Sequence, residues 1–134
     1  MDDRRLQQLY AAVLTRRAQW GRDDCLLFAG SVAEAITGRD PVAALRGTYH
    51  GKRAALAELG RWGETRLAAA RARLAALGLV ESPIAEALLG ALGLVLHGGI
   101  EVMAARIEQG WIVRAERGIA VLAADCAVAA WIQP

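Results

Sequence analysis

Apolar positions spaced at three and four residues dominate the first half of the chain, and short apolar blocks cut by glycine dominate the second. Leu6, Leu9, Tyr10, Val13 and Leu14 line one helical face, with Asp2 and Asp3 at its start. This helix should end near Ala18, before a Trp20-Gly21 turn. Asp23 and Asp24 then offer N-caps for a second helix through Thr37, closed by Gly38 in the left-handed conformation. Asp40-Pro41 sets a cap before proline at the first helical position and predicts a short helix that stops at Gly47. Lys52 to Leu59 reads as another short helix ended by Gly60. Glu64 to Leu77 is the clearest case. Leu67, Ala70, Leu74 and Leu77 form its apolar stripe, Arg66, Arg71 and Arg73 lie off it, and Gly78 closes it.

After Pro83 the period changes. Leu92–Leu96, Ile100–Glu108, Trp111–Ala115 and Ile119–Leu122 are apolar segments separated by His97-Gly98-Gly99, Gln109-Gly110 and Glu116-Arg117-Gly118. That alternation of strand and glycine turn predicts an antiparallel meander. Ala123 to Ala130, rich in alanine, reads as a last helical turn. The expected class is α+β in a single domain over 1–134, with a helical part (1–82) followed by a small antiparallel sheet (83–134).

Composition narrows the function classes. The chain has 134 residues, of which 55% are hydrophobic and 22% charged. That excludes wholesale disorder, which requires low hydrophobicity and high net charge. Sixteen Lys plus Arg against fourteen Asp plus Glu give a formal charge of +2. So even a balance argues against a nucleic-acid binder, which needs a concentrated basic face. Trp20, Trp62, Trp111 and Trp131 are dispersed rather than arranged as a stacking platform. Arg61, Arg66, Arg71 and Arg73 read as a solvated helix face. The N-terminus lacks the apolar core of a signal peptide. The run from Ile84 to Leu96 is too short to span a bilayer. A soluble protein made in the cytoplasm is expected, without membrane insertion.

Cys25 and Cys126 are widely separated, too few for a secreted disulfide framework. Cys25 falls in the first turn of the second predicted helix, directly after a capping aspartate. Unpaired N–H groups and the helix dipole favour a thiolate there, whereas Asp23 and Asp24 oppose it. Cys25 is therefore a candidate nucleophile, although the residues alone favour the plainer reading of a small buried apolar side chain at a helix start. A nucleophilic thiol needs an imidazole within hydrogen-bond reach. The chain offers His50, in a loop between helices, and His97, at a hairpin turn bordering the sheet. His97 is the better-placed candidate base. A Cys25–Cys126 disulfide is a further alternative. No metal-ligand spacing and no glycine-rich phosphate loop occurs, so neither metal nor cofactor is expected.

Trp20-Gly21-Arg22-Asp23-Asp24-Cys25-Leu26-Leu27-Phe28-Ala29, Thr37-Gly38-Arg39-Asp40-Pro41, Arg46-Gly47-Thr48-Tyr49 and the terminal Ala130-Trp131 resemble a family of phage and prophage tail-cluster proteins of unassigned activity. That family is similar to the NlpC-type peptidases, papain-like enzymes that cut peptidoglycan stem peptides. The resemblance implies an NlpC/papain-like fold and a place at the tail tip or baseplate hub of a virion or gene transfer agent. It implies other tail subunits, and peptidoglycan, as partners. Asp24-Cys25 matches the NlpC Asp-Cys pair. The Gly-Asp pair of those enzymes is Gly90-Ala91 here, and the strand that should open with histidine runs Ile100-Glu101-Val102-Met103. The resemblance thus implies a structural, catalytically degenerate domain, or else a cysteine peptidase with Cys25 as nucleophile and His97 as a displaced base, with Trp20, Asp23 and Asp24 around the thiol.

Overall fold

Among the described residues, three α-helices and a six-stranded antiparallel sheet make up the architecture, so the α+β class holds. A computed structural model describes residues 3–51, 53–54 and 65–134. The helix expected over Lys52 to Leu59 falls largely outside those residues. So do Asp2, Gly60, Arg61, Trp62 and the expected Glu64 start of the following helix.

Helix α1 spans Asp3–Val13 and α2 spans Cys25–Thr37. α1 ends five residues before the expected Ala18. The chain there leaves the helix to lie beside the sheet, with Arg17 bridged to Arg117 and Ala18 N–H donating to the Glu116 carbonyl at 2.8 Å. α2 is the central helix. Leu26, Leu27, Phe28, Ala29, Val32, Ala33 and Ala35 are all buried, more than one face's worth, because α1 covers one side and the sheet the other. Gly38 closes it at φ +83°, as expected. The short helix expected after Asp40-Pro41 is a single 3-10 turn, Ala43–Leu45, and Asp40 Oδ1 accepts from Val42 N–H instead of capping an α-helix. Helix α3, Arg66–Ala76, is capped by the Thr65 hydroxyl, which accepts from Ala68 N–H. It buries Ala69 and Leu74.

The strands are β1 (Val80–Ser82), β2 (Leu92–His97), β3 (Ile100–Ile107), β4 (Gly110–Arg114), β5 (Ile119–Leu122) and β6 (Ala127–Ile132), in the order β1-β6-β2-β3-β4-β5. The meander from β2 to β5 is as expected, and β5 matches its predicted limits. His97 belongs to β2 rather than to the turn. It pairs with Ile100 across the two-residue Gly98-Gly99 loop, both glycines having positive φ as a type I′ turn demands.

Two larger expectations fail as well. Ala123 to Ala130 is not a helical turn. Ala124–Cys126 is a 3-10 turn that carries the chain over one sheet face, and Ala127–Ile132 is an interior strand between β1 and β2. Alanine's helix propensity is overridden because this strand is pressed from both faces, where Ala129 and Ala130 leave room for neighbours. The boundary between a helical and a sheet part at residue 82 also fails, since β1 joins the sheet from before it.

The sheet separates two apolar clusters. On the helix side Leu92, Leu94, Met103, Ala105, Ile107, Ile112, Ala129 and Trp131 pack with α2. On the other side Val95, Ala104, Trp111, Val113 and Ala130 are covered by Ala87, Cys126 and Ala127. Trp111 Nε1–H donates to the Ala124 carbonyl, which fastens the β5–β6 connection over that face. Trp111 and Trp131 are both buried core residues, on opposite faces.

Candidate functional site

The turn before α2 is held by its two aspartates, which face different partners. Asp24 is the N-cap, in extended conformation. Its Oδ1 accepts from Leu27 N–H at 3.1 Å, and its Oδ2 accepts from Gly21 N–H at 2.9 Å and from the Tyr49 hydroxyl at 2.8 Å. Asp23 turns the other way. Its Oδ1 accepts from Gln19 N–H, and its Oδ2 accepts from Arg16 at 2.8 Å and Arg114 at 3.3 Å. The Arg114 guanidinium, fully buried, also donates to the carbonyls of Arg16, Ala115 and Gly118. Burial pushes the Asp23 carboxyl upward, but the Gln19 amide and the two guanidiniums outweigh it and hold it below the usual carboxylate range. Asp23 is thus a clamp between the turn and β4, not a second cap. Gly21 fits because its backbone lies against the Tyr49 carbonyl at φ +84°, where a side chain would collide.

Cys25 is the first residue of α2 and is partly buried. The Met103 N–H of β3 is directed at its sulfur. Pairing of β3 with β4 runs only from Ala105 to Ile107, so the Met103 amide on that side lies past the end of the ladder. Arg66, at the start of α3, donates to the Glu101 carbonyl on the same stretch of β3. Burial pushes the thiol up. The Met103 N–H favours the thiolate, the Asp24 charge disfavours it, and the Leu26 N–H and Arg66 favour it; the sum lies above the ordinary thiol value. Burial thus outweighs the amides of the helix start and of β3 at this sulfur.

The structure does not bring His97 to Cys25. Strand side chains alternate between faces. Along β2, Leu92 and Leu94 join the helix-side cluster and Val95 the opposite one, so His97 shares the Val95 face, away from α2. It also pairs with Ile100, three residues from Met103, a displacement of about 10 Å along the strand. The expected Cys25–His97 dyad is accordingly not assembled. His50, the other histidine, is exposed and follows Tyr49, so its backbone lies beside the Gly21 turn. Trp20 stands at that turn, partly exposed. Cys126 is free and sits in the cluster across the sheet from Cys25, which removes the disulfide alternative.

Sequence reasoning missed the residues that build the cysteine environment from afar. Tyr49 was visible as part of Arg46-Gly47-Thr48-Tyr49, but nothing local ties its hydroxyl to Asp24. Arg114 falls inside the expected strand Trp111–Ala115, where a charge in an otherwise apolar segment is the one signal for it. Arg66 belongs to the basic face that was read as solvated; Arg71 of that face pairs with Glu81 at 2.9 Å. Among the described residues no cluster of three or more His, Cys, Asp or Glu side chains could hold a metal ion, and no helix is long and apolar enough to cross a membrane.

A family model described as "Domain of unknown function (DUF6950)" matches residues 1–132, and the chain belongs to that family. No curated protein and no solved structure matches the chain.

Proposed function

We propose that this chain is an NlpC-like domain whose cysteine centre is vestigial and which serves as a structural component of a phage or gene-transfer-agent tail tip or baseplate hub. The observation that carries the proposal is the Cys25 thiol. It sits at the N-terminus of the central helix and against the sheet, where a papain-like nucleophile would stand. Its acidity is pushed the wrong way, and His97 lies on the opposite face of the sheet. The position is kept and the activation is gone, as expected of a catalytic fold retained for assembly. The motifs from Trp20 to Tyr49 supply the likeness to tail-cluster proteins. The partners are then other tail-tip or baseplate subunits, and the site of action is the virion.

The reading as an active cysteine peptidase on peptidoglycan stem peptides keeps one observation in its favour, the exposed His50 next to the Gly21 turn. Two measurements separate the readings. The purified chain is incubated with peptidoglycan and released peptides are analysed by mass spectrometry. Alkylation of Cys25 and Cys126 by iodoacetamide is followed in parallel. A vestigial centre releases nothing and labels Cys25 no faster than Cys126. Release by the wild type that disappears in both Cys25→Ala and His50→Ala would establish the peptidase instead. For the structural role, the chain should co-purify with particles at a fixed stoichiometry. Its absence from purified particles removes the tail assignment.

A further inference from the structure

We draw no further inference here: the strongest candidate, the patch of exposed apolar side chains Ile84, Leu88 and Leu89 on the connection between β1 and β2, carries nothing, because nothing in the structure shows what covers it.

Discussion

Replacing Asp24 by alanine tests whether one carboxylate organises the approach to α2. Three donors converge on it: the Leu27 and Gly21 amides and the buried Tyr49 hydroxyl. Loss of the N-cap costs about 1 kcal/mol. Leaving the Tyr49 hydroxyl buried without an acceptor costs about 1–3 kcal/mol more. The Gly21 amide, released at the edge of the turn, can find water and adds less. Asp24→Ala should therefore lower unfolding free energy by about 3 kcal/mol, a large fraction of what a domain of this size holds. Tyr49→Phe removes the hydroxyl and its need for a partner, and should cost about 1 kcal/mol. The double variant should then be less destabilised than the two single changes combined, by about 1–2 kcal/mol, because the orphaned hydroxyl is gone. Urea unfolding followed by tryptophan fluorescence measures all four species, with equal m-values confirming a comparable transition. A loss below about 1 kcal/mol in Asp24→Ala, or strict additivity with Tyr49→Phe, would refute the reasoning.

Asp24→Asn keeps a capping oxygen but removes the charge that disfavours the Cys25 thiolate. The pH midpoint for iodoacetamide alkylation of Cys25 should move down relative to wild type, and an unchanged midpoint would mean that burial alone sets it. Asp23 is held below the usual carboxylate range, so its clamp contributes above the unfolded value near ~3.9 and is lost as pH falls through the lower folded value. Arg114→Met breaks the buried pair, should cost about 3 kcal/mol at pH 7, and should flatten the acid side of the stability profile measured by urea titrations from pH 7 to 3. Gly93→Ala drives a methyl group to 2.5 Å from the Trp111 ring in the packed sheet face and should destabilise by about 1–3 kcal/mol in thermal unfolding, whereas Gly47→Ala meets no atom within 4 Å and is opposed only by its positive φ.

Much of this fold is written locally. The Asp24 cap, the Gly38 stop and the Gly98-Gly99 hairpin depend on one or two residues each, and a capping oxygen or a positive φ acts on its immediate neighbours whatever lies beyond. The meander was legible for the same reason, since glycine turns of fixed length set both strand limits and register. The failures involve residues that are ambiguous until something packs on them. The alanines from Ala123 to Ala130 prefer a helix in isolation, and they form a strand because β1 and β2 flank them and both sheet faces are crowded. The early end of α1 is of this kind too, since Glu116, about a hundred residues away, takes the amide of Ala18.

The candidate site divides along the same line. Cys25 at a helix start, beside a capping aspartate, is a statement about adjacent residues, and the sequence alone determined it. Whether that thiol is activated depends on groups remote in the chain: the Met103 amide freed where β4 leaves β3, the Tyr49 hydroxyl on Asp24, and the sheet face to which His97 points. Local chemistry places a sulfur, but its acidity and its partners are sums over everything folded around it. A single step of strand register decides which side of the sheet a histidine serves.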